Sequence, residues 1–365
     1  MKMIDRSIKS KYINVDDHRR IIAISDIHAN LPVLKKLLKK IAFDMHQDEL
    51  FLVGDLLEKG AYNMETLHFI MELSKSPHVH PMMGNCDFVC KNVLYEYRLD
   101  FLKEVLLHRQ NSILHEMAAT LGIHFHKDID MIEYARILKQ HFPKELAFVD
   151  QLPHVVETQH YIFGHAAILD EDHYGKEMRD IMTHNRFLDD AKRFQKYVVV
   201  GHLPVSEYCD GICCFNPMID DLRHIIAIDG GNEVKSAGQL NALLIEHGNF
   251  SYAHSDCLKK AKVLDSIQPI NSDPFFIKWY DSSVKILKED DIRYLCRHLS
   301  SGKDFWIPKD FIFHKGDEIH VDNFTTYHLP VEKGDYVKIV STCGEHALVK
   351  KNGIMGWIPS KILSK

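Results

Sequence analysis

The apolar positions near the start of the chain gather into short runs that each stop abruptly at polar residues: IIAISDIH from Ile21 to His28, LFLVGD from Leu50 to Asp55, and VHPMMGNCD from Val79 to Asp87. Each of these runs predicts a β-strand that ends in polar groups able to hold a metal. Between them the period changes. After Asn30 and Pro32, Leu34, Leu37, Leu38 and Ile41 recur at helical spacing, with Lys35, Lys36, Lys39 and Lys40 on the opposite face. A second helix is expected after Asn63 as its cap, with Met64, Leu67, Ile70 and Met71 turned inward. Strand, helix, strand, helix, strand predicts parallel strands whose carboxyl ends share one edge, so Asp26, His28, Asp55 and Asn85 should converge there.

From residue 88 to 160 the rhythm breaks. The run from Val89 through Phe148 is rich in Leu, Glu, Lys, His and Met, interrupted only by Gly122 and Pro143, and predicts a helical insertion that caps one side of the convergence point. Strands resume at Tyr161–Gly164 before His165, at Tyr197–Gly201 before His202, at His224–Ile228 before Asp229, and at Leu240–Glu246. Past residue 270 short β-like runs with aromatics take over, and they repeat. VKIL at Val284 is followed 22 residues later by Trp306-Ile307-Pro308, and VKIV at Val337 is followed 20 residues later by Trp357-Ile358-Pro359. The organisation expected is therefore a first domain over residues 1–265, with its helical insertion at about 88–160, and two small β modules over 266–315 and 316–365.

Composition narrows the function. The 365 residues are 45% hydrophobic and 26% charged, with a net charge of −6 and no basic block, so nucleic acid and anionic membranes are not expected partners. An anionic substrate remains open if metals supply the positive charge. The first twenty residues hold no apolar secretion-type segment and no run approaches a membrane span, so the expected location is the cytoplasm, where the eight cysteines stay reduced. Cys209, Cys213 and Cys214 are read as buried or incidental thiols, and Asp229 as a structural strand end.

Two divalent metals held side by side need one bridging carboxylate and oxygen or nitrogen ligands on either side. Asp55 suits the bridge, Asp26 and His28 one metal, and Asn85, His165 and His202 the other. A water between two such metals loses a proton near neutral pH and can attack phosphorus in line, which predicts phosphoester hydrolysis. Oxygen and nitrogen ligands of these kinds suit Mn, Fe or Zn alike.

In SDIHAN, GDLLEKG, GNCD, FGHAAI and GHLPV the chain resembles the calcineurin-like metallophosphoesterases, whose pattern is D-x-H, G-D-x-x-x-x-G, G-N-x-x and two separated histidines. The likeness covers about residues 20–250 apart from the insertion. Within that superfamily it is most similar to the phosphoprotein (Ser/Thr) phosphatases: Pro204 replaces a second histidine of G-H-x-H, HNRF places Arg186 where that group has an arginine, and IAIDGG…GQLNALLIE resembles its closing strands. The resemblance implies a four-layer αββα sandwich. It also implies a leaving-group acid at Cys86 assisted from Glu58, and phosphate contacts from Lys59, Arg186 and Asn85. Three of these depart from the family pattern, which has a histidine at position 86, an aspartate at 58 and an arginine at 59. Cys86 is open to a reading as a small buried residue, and Lys59 to one as a loop charge. The KGDYVKIV and GIMGWIPSKIL segments look like a bacterial SH3-like barrel, with the first repeat a looser copy.

Three functions follow as expectations. The first is a phosphomonoesterase of the protein phosphatase type, acting on phosphoserine or phosphothreonine proteins or on a small phosphorylated metabolite. The second is a phosphodiesterase or dinucleotide-polyphosphate hydrolase, whose leaving groups need less protonation than an alkoxide. The third is an inactive scaffold that binds a peptide or protein partner through its SH3-like barrels.

Overall fold

The structure, a computed structural model, describes residues 4–364. In order, the chain forms β1 (Ser10–Tyr12), β2 (Ile21–Ile24), α1 (Leu31–Lys40), β3 (Glu49–Leu52), α2 (Asn63–Leu73) and β4 (Val79–Pro81). Five helices follow: α3 (Val89–Tyr95), α4 (Leu99–His108), α5 (Ile113–Thr120), α6 (Met131–His141) and α7 (Pro143–Gln151). Then come β5 (Val155–Glu157), β6 (Tyr161–Gly164), the short α8 (Met178–Met182) and α9 (Phe187–Asp190), β7 (Tyr197–Val200), β8 (Met218–Asp220), β9 (Ile225–Ala227), β10 (Leu240–Glu246) and β11 (Asn249–Ser255).

These strands make two sheets, ordered β11-β10-β2-β3-β4 and β1-β5-β6-β7-β9-β8. The expected parallel unit is present: β2 pairs with β3 and β3 with β4, all parallel. In the other sheet β6, β7 and β9 are parallel neighbours. Antiparallel strands flank the parallel ones, β10 and β11 beside β2 in one sheet and β5 and β8 on either side in the other, where β1 adds a strand parallel to β5. Phe51 of β3 stacks on Phe163 of β6 with ring centroids 4.0 Å apart, so the sheets face each other across a shared core with Ala23, Val199, Ile226 and Leu243. Burial on both faces is why these strands read as unbroken apolar runs.

Helix α1 starts as its sequence indicates, with Asn30 Oδ1 accepting from the Val33 amide at 3.3 Å, and it packs on β10 and β11. Asn63 departs from expectation. It is the first residue of α2 and not its cap; its buried side chain accepts from the Glu58 amide at 2.7 Å and donates to Gly60 O at 2.9 Å. The orphan amides of α2 are met instead by Glu116 of α5, which accepts from Asn63 N at 2.8 Å and Met64 N at 2.7 Å. The helical insertion ends earlier than residue 160, because Val155–Glu157 is a strand inside the second sheet. Between β6 and β9 the only α-helices among the described residues are the short α8 and α9, so the helical layer expected outside that sheet is thin.

The described chain divides into two compact units. The first runs to Pro204 and adds Pro217–Val234 and Gly238–Asp256; the second takes Val205–Asn216, Lys235–Ala237 and the chain from Cys257 onward. In the second unit β12 (Lys259–Lys262), β18 (Tyr336–Cys343), β19 (His346–Lys351) and β20 (Ile354–Pro359) form one sheet. Between β12 and β18 in sequence lie a three-stranded sheet of β13 (Val284–Glu289), β14 (Arg293–His298) and β15 (Asp304–Pro308), and a two-stranded ribbon of β16 (Ile312–Lys315) and β17 (Glu318–Val321). The sequence repeat is a structural one. Both VKI strands open an antiparallel meander, both bulge just after the isoleucine, at Ile286 and Ile339, and both W-I-P strands close it and run into a turn of 3₁₀ helix.

Cys213 is buried in the core of this unit and Cys209 Sγ donates to Cys214 O, which fits their reading as structural thiols. Among the described residues no helix is long and apolar enough to cross a membrane.

Candidate metal centre

Where the strands of the first unit end, the backbone turns into the left-handed region. Asp26, His28, Asp55, Glu58, Lys59 and His202 all have φ between +46° and +73°. Such conformations cost about 1–3 kcal/mol each unless surroundings enforce them. Here neighbouring loops do so. Asp26 N donates to Gly54 O at 3.1 Å, His28 N to Asp55 O at 2.9 Å, and Asn232 Nδ2 to Ile27 O at 2.8 Å. Asp87 ties the other two loops together, its carboxylate accepting from the amides of Leu56, Leu57 and Gly84 at 2.9–3.3 Å. Close approach also dictates sequence: a Cβ at Gly84 would sit 2.2 Å from Asp55 Oδ1, and one at Gly201 2.3 Å from Asp26 Oδ2.

Asp26, His28, Asp55, Asn85 and His165 meet as expected. The two oxygens of Asp55 face different groups: Oδ1 lies 3.3 Å from His165 Nε2, and Oδ2 lies 3.8 Å from His28 Nε2. His165 Nε2 is also 3.0 Å from Asn85 Oδ1, and Asp26 Oδ1 is 3.8 Å from His28 Nε2. One carboxylate therefore spans two clusters of donors. The His202 ring stands beside the second cluster, 5.1 Å from the His165 ring between centroids, while its amide donates to Asp26 Oδ2 at 2.9 Å.

The electrostatics suit cations. Burial and then Asp55 push the Asp26 carboxyl well up, and burial and then Asp26 do the same to Asp229, whose Oδ1 accepts from the Gly231 amide. Asp55 is held low by His165, His28 and Lys59 against the opposing effect of its own burial. Burial, followed by Lys59, lowers His28 to about 3; burial, followed by His165, lowers His202 to about 4. Neutral imidazoles offer lone pairs, as metal ligands must. Asp26 Oδ1 is buried without a hydrogen-bond partner among the described residues. An orphaned oxygen among crowded carboxylates and neutral histidines fits a pair of divalent metals.

The remaining residues singled out by sequence lie as follows. Lys59 is mostly buried, with Nζ 3.1 Å from His28 Nε2. Cys86 is buried; its amide donates to Asp55 Oδ1 at 2.8 Å, and burial, then Asp55, raise its thiol well above the usual range. Glu58 is wholly buried and its carboxylate is used by the insertion: Arg109 Nη1 at 2.7 Å, Ser112 Oγ at 2.8 Å and the Ile113 amide at 2.8 Å. Arg186 pairs with Asp189 and lines a cleft of about 540 Å³ with Arg179, Thr183, His184 and Asn185. Sequence reasoning missed Asp87 and Arg109. Asp87 was visible as the last residue of GNCD, whereas Arg109 sits in the insertion with no motif around it.

Residues 19–218 match the sequence profile of the calcineurin-like phosphoesterases, more than half of the chain. The chain belongs to that family. Among curated proteins it is similar to the symmetrical bis(5'-nucleosyl)-tetraphosphatase of Ectopseudomonas mendocina, 36% identical over 90 residues, which are 24% of this chain and 32% of that one. It is also similar to the enzyme of the same name from Vibrio campbellii, 29% identical over 146 residues, 40% of this chain and 43% of that one. The chain thus spans less than half the length of either. A solved structure assigned as a diadenosine tetraphosphatase superposes with a TM-score of 0.47 at 16% identity, over 68% of this chain and 99% of that one.

Proposed function

We propose that this member of the calcineurin-like phosphoesterases hydrolyses phosphoanhydride bonds of dinucleotide polyphosphates, with Asp55 bridging two divalent metals. Family membership makes it a metal-dependent phosphoester hydrolase. Asp26 and His28 would hold one metal, and Asn85, His165 and His202 the other. When bound, the metals supply an activated water and neutralise charge on the phosphate.

The observation that carries the substrate class is the state of Cys86. Where the family has a histidine, this chain has a buried thiol, a poor stand-in for an imidazolium as donor of a proton to a departing oxygen. A serine alkoxide needs that proton; a nucleotide phosphate leaving from an anhydride does not. The protein phosphatase reading, which the motifs put first, is therefore the less well supported of the two. The names of the curated relatives point the same way. His28 and His202, kept neutral by burial, are set to hold metal and not to shuttle protons.

The matched meanders and bulges of the second unit support reading it as two SH3-like modules, for which a peptide partner is the natural ligand class. A substrate panel tests the main proposal: diadenosine tetraphosphate, an aryl monoester, an aryl diester and a phosphoserine peptide, each with Mn-, Fe- and Zn-loaded protein. The expected ranking places diadenosine tetraphosphate first and the phosphopeptide last. A phosphopeptide turned over as fast as the dinucleotide would overturn it.

A further inference from the structure

The guanidinium that the family motif carries at position 59, and that this chain replaces with Lys59, has a substitute from another part of the chain. We propose that Arg109, carried by the helical insertion, binds the substrate's phosphate beside the metal centre, and that Glu58 is the positioning residue that holds it there. The proposal rests on the hydrolase reading above but not on the identity of the ester.

The segment from Arg109 to Glu116 is latched to the loop that follows Asp55. Lys59 N donates to Asn111 O at 3.2 Å and Asn111 Nδ2 returns a bond to Lys59 O at 3.0 Å. Glu116 accepts from the first amides of α2, and the Glu58 carboxylate accepts from Ser112 and Ile113. These bonds fix where Arg109 can stand. Its Nη1 donates to Glu58 Oε2 at 2.7 Å, while Nε and Nη2 have no hydrogen-bond partner among the described residues. The side chain keeps 25% of its surface exposed, against none for Glu58. A half-used guanidinium, open to solvent and anchored one residue from Lys59, has donors left for a tetrahedral oxyanion.

The residue types agree with this division of labour. Lys59 supplies a point charge next to His28 but no planar fork. Glu58 already has Ser112 and Ile113 on Oε1, so its other oxygen is the one that orients the arginine.

The test is phosphate binding to the whole protein loaded with Mn, measured by calorimetry with inorganic phosphate, alongside metal content and thermal unfolding. Arg109→Lys keeps a counter-charge for Glu58 and so keeps the fold, but loses the fork. It should weaken phosphate binding by about tenfold or more with two metals still bound, the loss expected for charge-assisted hydrogen bonds. Glu58→Gln should also weaken it, and should add nothing in the Arg109→Lys background if Glu58 acts through Arg109. If Arg109→Lys does not fold, the double variant Glu58→Leu/Arg109→Met removes both buried partners at once and should show the same loss. Phosphate affinity unchanged from wild type in a folded, metal-loaded Arg109 variant overturns the proposal. If phosphate binding depends on Arg109 while diadenosine tetraphosphate is not hydrolysed, the substrate reading fails and this one stands.

Discussion

Lys59 Nζ lies 3.1 Å from His28 Nε2, the atom that would face the first metal. An ammonium and a divalent ion compete for the same carboxylates, because Lys59 is also drawn by Asp55 and Asp26. Lys59→Met should therefore tighten metal binding at the Asp26/His28 cluster, by roughly tenfold for one removed charge at close range. Calorimetric titration of the metal-free protein checks this. Unchanged or weaker affinity would mean that the lysine and the metal do not share the space.

Asp55 and Gly84 form a second constraint. Only a charged carboxylate bridges two cations well, and a methyl group at Gly84 would lie 2.2 Å from Asp55 Oδ1. Asp55→Asn and Gly84→Ala should each leave the protein with fewer than two equivalents of tightly held metal. Elemental analysis after dialysis reads the outcome; two retained equivalents in Asp55→Asn would remove Asp55 from the bridging role.

In the second unit, the Glu207 carboxylate accepts from Lys235 Nζ at 2.6 Å, and both are fully buried. The same ammonium donates to Asn323 Oδ1 at 2.8 Å and lies 4.2 Å from the Trp279 ring centre. Removing one member strands the other's charge. Glu207→Ala should cost about 3–5 kcal/mol in denaturant unfolding, whereas Glu207→Leu with Lys235→Met should cost much less. Equal losses in the single and double variants would show that the charge pair is not the cause.

His154 gives a pH signature away from the metal centre. It accepts from the Lys9 amide through Nδ1 at 3.0 Å, and burial, then Lys91, lower it to about 4. A histidine whose folded value lies below its unfolded one stabilises the neutral protein, so its contribution is present above about pH 6.5 and is lost as pH falls toward 4. His154→Asn keeps an acceptor and removes the titration. Unfolding titrations should show an acid slope shallower by up to about 1.4 kcal/mol per pH unit between those values. An identical slope in the variant would assign the acid loss to other groups.

What the sequence discloses follows from how local each constraint is. Strands buried on both faces must be apolar throughout and must end where the chain turns, so D-x-H, G-D and G-N stand out without any structure. β1, β5 and β8 have three residues each and are held by their neighbours in the sheet, too short to carry a pattern of their own. Asn63 looks like a cap because asparagine before an apolar period usually is one, yet the partner that satisfies α2 is Glu116, more than fifty residues away. Glu58 shows the same limit. Its place in the motif points to Cys86, while its hydrogen bonds go to Arg109, Ser112 and Ile113. The contribution of Val205–Asn216 and Lys235–Ala237 to the second unit is equally non-local, whereas the repeated V-K-I and W-I-P strands were plain because each is a contiguous meander.

The dependence of turnover on leaving-group pKa, in wild type and in Cys86→His, tests the central claim most directly. With a buried, protonated thiol at position 86, wild-type rates should fall steeply as the leaving group becomes more basic, with anhydrides and activated aryl esters far ahead of alkyl monoesters. Cys86→His should raise alkyl-monoester turnover by up to about 10²-fold and barely change that of diadenosine tetraphosphate. A wild-type rate indifferent to leaving-group pKa, and unaltered by the substitution, would contradict the account.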